Sequence, residues 1–91
     1  MTAMLNRNPD ILIDSISEDK TIVFNPKRNT TYVLNTTATY LLNLCQNKPL
    51  KEVVKMYTER FLEMCPSKRL LTRDARIICA QLLELGLVEE T

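Results

Sequence analysis

Val33-Leu34-Asn35-Thr36-Thr37-Ala38 is where the chain changes period. Before the change, residues 31–34 are β-branched, aromatic or apolar and read as a strand. After it, Ala38, Leu41, Leu42 and Cys45 recur at three and four residues, which is one face of a short helix. At the junction, the side-chain oxygen of Asn35 or Thr36 is placed to accept a free backbone N–H of the first helical turn. A strand therefore runs straight into a helix. The order of elements, more than any reactive group, is what the sequence says about function.

Upstream, residues 11–16 alternate and carry β-branched side chains, so they read as a first strand, with residues 21–25 as a second. Residues 17–20 and 26–29 read as turns, the latter with Pro26 and Asn29 in the roles turns favour. Connections this short imply an antiparallel meander. Residues 1–9 read as a flexible polar lead-in that ends at Pro9. Downstream, Asn47 is a plausible left-handed stop for the first helix, and Pro49 suits the first turn of a second. Leu50, Val53, Val54, Tyr57 and Phe61 form the apolar stripe of that second helix. Residues 63–68 break the pattern, and Thr72 reads as the N-cap of a third helix. There Leu71, Ala75, Ile78, Leu82 and Leu85 fall in a narrow arc at a hundred degrees per residue. Gly86, the chain's single glycine, stands at the C′ position, and residues 87–89 fold back. The expectation is one α+β domain over residues 1–91, a three-stranded antiparallel sheet followed by three helices.

The third helix is apolar beyond its core stripe. Ile77 lies on one shoulder, Cys79 and Leu83 on the other. One shoulder completes the core and the other lines a groove open to a partner, or both are buried; the pattern leaves the choice open.

The totals narrow the function classes. A 91-residue chain that is 45% hydrophobic is a globular domain, too apolar to be disordered. Its size buries only roughly 60–65% of the unfolded surface, so it leans towards marginal stability or a partner. A net charge of +1, from 12 basic and 11 acidic residues, argues against charge-driven binding to nucleic acid or to an anionic membrane. No apolar run spans a bilayer and residues 1–8 show no signal-peptide pattern, so a cytoplasmic location is expected.

Catalysis finds no foothold. There is no His to act as general base, the acids are scattered, and one glycine cannot build a phosphate loop. The three cysteines, Cys45, Cys65 and Cys79, are unpaired in spacing and would need a carboxylate to complete a zinc site. Cys45 and Cys79 read as buried small hydrophobes and Cys65 as the more exposed thiol. No enzyme, metal or cofactor is expected. Two features do suggest binding. Lys68, Arg69, Arg73 and Arg76 cluster around the start of the third helix, where cations oppose the helix dipole and an anion would relieve them. The bland alternative is a solvated helix end. A three-stranded sheet also leaves edges, and an uncovered edge pairs with an extended peptide unless the lead-in or a second copy of the chain covers it.

Three strands followed by three helices, with Val33-Leu34-Asn35-Thr36-Thr37-Ala38 at the junction, resembles the PqqD-like family. Tyr40-Leu41-Leu42-Asn43-Leu44, Leu50-Lys51-Glu52-Val53-Val54, then Asp74, Ile78, Leu82 and Leu85-Gly86-Leu87-Val88 complete the match over about residues 10–89. The family often has Asp-Gly in the first interhelical turn; Gln46-Asn47 stands there here, and Asn tolerates the left-handed conformation. The connection carrying Cys65-Pro66 departs from the pattern in length.

The resemblance implies a winged helix-turn-helix-like fold used as a RiPP recognition element, a peptide chaperone for ribosomally made, post-translationally modified peptides. It implies that a precursor's leader adds a strand along Thr31, Tyr32, Val33 and Leu34. Arg73, Arg76, Ile77 and Ala80 would form the helical wall, with Cys79 and Leu83 the alternative. The partner would be a separate modifying enzyme, a radical S-adenosylmethionine protein or a peptidase–cyclase system. A homodimer through the open edge is a further partner state. The competing reading is a winged-helix DNA-binding regulator. Ile77, Ala80 and Leu83 are poor tools for base edges, and only Gln81 suits them.

Overall fold

The structure is a computed structural model, and it describes residues 3–17 and 20–91. In chain order the elements are β1 (Met4–Arg7), β2 (Leu12–Ser17), β3 (Lys20–Asn25), β4 (Thr30–Leu34), α1 (Thr36–Leu44), β5 (Gln46–Pro49), α2 (Leu50–Phe61), α3 (Lys68–Glu84) and β6 (Val88–Glu90). They form an α+β fold with two antiparallel sheets of three strands, ordered β2-β3-β4 and β5-β1-β6.

The first sheet is the expected meander. Thr21, Val23 and Asn25 alternate inwards and are buried, which sets the register Val23↔Tyr32 and Thr21↔Leu34 with β4. The turn read over residues 17–20 falls partly on Glu18 and Asp19, which lie outside the described residues. The turn between β3 and β4 holds Asn29 at φ 51, and the Asn25 carboxamide oxygen accepts the backbone N–H groups of Lys27 and Arg28.

The second sheet is a correction to the lead-in. Residues 4–7 are the central strand of β5-β1-β6, with Leu5 buried in the same core as the helices. A short Asn- and Arg-rich segment carries too few alternating positions to announce a strand; here a single buried Leu5 and its partners on both sides hold it. Asn47 does adopt the left-handed conformation, at φ 55, within β5 rather than as a helix cap. Its N–H is accepted by the Asn6 side-chain oxygen at 2.8 Å, where the β1–β5 register shifts.

The helices pack into one unit, with α1 against β3 and β4 of the first sheet, α2 against β5 and α3 against β6 of the second. Asn35 caps α1 by accepting the Ala38 N–H at 3.0 Å. Pro49 precedes α2 as its N-cap, and Val53, Val54, Tyr57 and Phe61 turn inwards while Leu50 stays partly exposed. The cap of α3 is Ser67 and not Thr72: its hydroxyl accepts the Leu70 N–H, and the helix begins more than a turn earlier than the sequence suggests. Pro66 explains this, since the residue after it is free to cap while Pro itself cannot continue a preceding helix. The core face of α3 is Leu71, Ala75, Cys79 and Leu82, with Ile78 and Leu85 half-buried beside it. Gly86, at φ 76, closes α3: its N–H goes to the Leu83 carbonyl and the Leu87 N–H to the Leu82 carbonyl. Among the described residues no helix is long and apolar enough to cross a membrane.

Candidate functional site

β4 bonds to β3 on one side, and among the described residues no strand pairs with its other side. Its side chains alternate. Tyr32 and Leu34 turn inwards, half-buried and buried, while Thr31 and Val33 are exposed on the opposite face, Val33 at 65%. An edge strand in this state offers a row of backbone N–H and C=O groups every second residue.

One bond ties helix α3 to the start of this edge, and the neighbours of Asp74 give its direction. Arg28, just before β4, donates from Nη1 to the Glu84 carbonyl at 3.0 Å, so the last turn of α3 sits beside the start of β4. Leu83 lines a cavity of about 330 Å³ with Asn25 and Arg28. At the other end, Thr37, which follows β4 closely, lies near the Tyr57 phenol of α2, and the Asp74 carboxylate of α3 acts on the same phenol. Burial first, and then the Asp74 charge, pushes the Tyr57 hydroxyl above its ordinary range.

These anchors decide the shoulders of α3. Asp74 faces α2 and Leu83 faces the β3–β4 turn. At about 100° per residue, Thr72 and Arg76 lie within some 20° of Leu83, with Ala80 about 60° round, whereas Ile77 falls on the Asp74 side. Thr72, Arg76 and Ala80 thus share the side of α3 that carries Leu83. Ile77 is 49% exposed on the far shoulder. Cys79 is buried, its thiol against that of Cys45. Arg73 stands between the shoulders at the rim. Its Nε is 3.9 Å from the carboxylate of its neighbour Asp74, both side chains well exposed, which is a weak pairing. Arg69 and Arg76 have no carboxylate within ion-pair distance among the described residues.

The residues singled out from the sequence divide accordingly. Thr31, Tyr32, Val33 and Leu34 lie on the open edge, and Arg73, Arg76 and Ala80 on the exposed face of α3. Ile77 is exposed on the other shoulder, Leu83 is half-buried beside Asn25 and Arg28, and Cys79 is buried. Thr72, read from the sequence as a cap, and Arg69, read as part of the basic cluster, share the Leu83 side of the helix. The sequence reading gave Thr72 to the cap and grouped Arg76 with Ile77, with Leu83 on the other shoulder; the signal that brings Leu83 beside the first sheet is Arg28 and Asn25, far away in sequence.

A second concavity, of about 720 Å³, lies at the opposite edge of the sheet. Ser15, Thr39, Tyr40, Arg60, Phe61 and Met64 are among its lining residues, and the Arg60 guanidinium sits 5.5 Å from the Phe61 ring. It is larger than the cavity at Leu83, but it borders neither β4 nor α3. Among the described residues no group of His, Cys, Asp and Glu is placed to hold a metal ion.

A three-stranded antiparallel wing laid on three helices, its last strand open beside the third helix, defines a winged helix-turn-helix-like α+β domain. Among solved structures it is similar to one described as TbiB1 in complex with the TbiA(beta) leader peptide. The TM-score is 0.75, with 92% of this chain and 94% of that one covered, at 16% sequence identity, a likeness of fold. The chain belongs to the PqqD family, whose model, described as coenzyme PQQ synthesis protein D, matches residues 20–88. No curated protein matches it.

Proposed function

We propose that this chain binds the leader segment of a ribosomally made precursor peptide by strand addition on β4, and holds it for a separate modifying enzyme. The observation that carries the reading is the open β4 edge, with the end of α3 held beside its start by Arg28, in a member of the PqqD family whose fold is shared with a protein solved on a leader peptide. Backbone bonds from residues 31–34 would supply affinity, and the wall of Arg76, Ala80 and Leu83, with Arg73 at its rim, would supply selectivity. The enzyme served would be a radical S-adenosylmethionine protein or a peptidase–cyclase system, and the encounter would be cytoplasmic. The chain itself would perform no chemistry.

The test is calorimetric titration with the leader of the short precursor gene beside this one. Saturable binding at micromolar Kd or tighter, roughly −8 kcal/mol, is expected. A proline scan of that leader should lose binding at alternate positions, since only every second amide of an added strand faces the sheet. Absence of binding by folded protein would defeat the reading. The exposed Arg69, Arg73 and Arg76 also keep a DNA-binding reading in play, and salt-sensitive retention on random duplex DNA would favour it instead. A homodimer pairing β4 with β4 would occupy the same edge, so leader should convert any dimer seen by sedimentation into monomer–peptide complex.

A further inference from the structure

The groove between β4 and α3 has a direction, and its chemistry changes along it. Arg28 bonds the Glu84 carbonyl beside the start of β4, and Asp74 acts on the Tyr57 phenol that Thr37 approaches just past the end of β4, so the two elements run in opposite senses. From the Leu34 end of the β4 edge to the Thr30 end, α3 therefore presents Arg73, Arg76, Ala80 and Leu83 in that order. One end is cationic, with guanidinium groups that are exposed and at most weakly paired. The other end is apolar.

Every strand pair of the β2-β3-β4 sheet is antiparallel, and antiparallel pairing is the slightly more stable continuation. A peptide added in that sense beside β4 runs from the Leu34 end to the Thr30 end. Its N-terminal residues meet Arg73 and Arg76, and its C-terminal residues meet Ala80 and Leu83. The seven residues from Arg76 to Leu83 rise about 10 Å, which an extended peptide covers in about three residues.

Resting on the leader-binding reading above, we infer that this groove selects a leader in which an acidic residue precedes an apolar anchor by about two or four positions, the even spacings that keep both side chains on the face turned to α3. Arg76, with Arg73 at the rim, is the specificity-determining group for the acid, and Leu83 with Ala80 receives the anchor. The Arg–carboxylate pairs are half-exposed, so their effect is modest and falls with salt.

The experiment uses the full chain and the synthetic leader of the adjacent precursor gene, spin-labelled at either terminus, with amide signals of the protein followed by NMR. The N-terminal label should broaden Leu34, Thr72 and Arg73, and the C-terminal label Thr30 and Leu83. Replacing the upstream acid by its amide should weaken binding about two- to fivefold, and Arg76→Gln should abolish that sensitivity while leaving the fold intact. Binding with the reversed broadening pattern, or undiminished binding of a leader lacking any upstream acid, would overturn the inference and leave leader binding standing. No binding at all would remove the leader-binding reading itself.

Discussion

Asn35 shows how much one side chain settles. Its oxygen accepts the Ala38 N–H at 3.0 Å and is also within hydrogen-bond distance of the Thr37 hydroxyl. The sequence narrowed the cap to Asn35 or Thr36, because a short polar side chain at the end of an apolar strand has few other uses, and the structure selects Asn35. Asn35→Ala should cost about 1 kcal/mol in urea denaturation. Gly86 was legible for the same kind of reason. At φ 76 it accepts a conformation that other residues enter at a cost, and an added Cβ would stand 3.0 Å from the Arg28 guanidinium carbon. Gly86→Ala should lose about 1–2 kcal/mol from the left-handed backbone alone, and the displaced Arg28 should release the Glu84 carbonyl. Arg28→Ala tests that second part alone: a smaller loss of stability with weakened leader binding, read by calorimetry. The Thr72 cap failed because Ser67, just past Pro66, caps first, and two good capping residues five apart cannot be ranked by local chemistry.

At the scale of elements, the wing and the amphipathic helices were readable because their periods are long enough to repeat. β1 was not. Its four residues make one inward turn, at Leu5, and its meaning comes from β5 on one side and β6 on the other. Leu5→Ala should destabilise by about 2–4 kcal/mol, as expected of a buried core leucine and far more than a loose lead-in would show, measured by the denaturant midpoint. The groove shoulder was half readable. The helical wheel separated Ile77 from Leu83, but only tertiary bonds tell which of them meets the wing. Ile77→Ala and Leu83→Ala make the comparison direct: leader affinity should fall several-fold for Leu83 and little for Ile77.

For the whole molecule, the described atoms form a plate of 38 × 36 × 17 Å, so most elements keep one face in solvent and the core is thin. A buried phenol gives it an alkaline limit. The Cys45 and Cys79 thiols, in contact, are shifted in opposite senses, Cys45 up and Cys79 down, so the pair sets no net limit, whereas Tyr57 is pushed above its ordinary range, first by burial. Tyr57 stays neutral in the fold while the unfolded chain ionises it from about pH 10. The stability it contributes is complete below about pH 10 and is lost as pH rises beyond it. The urea midpoint should hold from about pH 6 to 8 and fall above about pH 10, with Tyr57→Phe removing that fall.

Met4 and Thr91 exchange both backbone hydrogen bonds, at 3.0 and 2.9 Å, and β6 closes on β1 across nearly the whole chain. A strand near the start thus waits for one near the end. During synthesis the wing and the first helix can form while the chain is still on the ribosome, but β1 has neither neighbour until β5 emerges and only one until residues 88–90 follow. The second sheet is therefore a pairing of high contact order, slower to form than the local turns before it. Until it closes, Leu5 and the β1 edges are open, and that interval is when a chaperone or a neighbouring nascent chain has its opportunity.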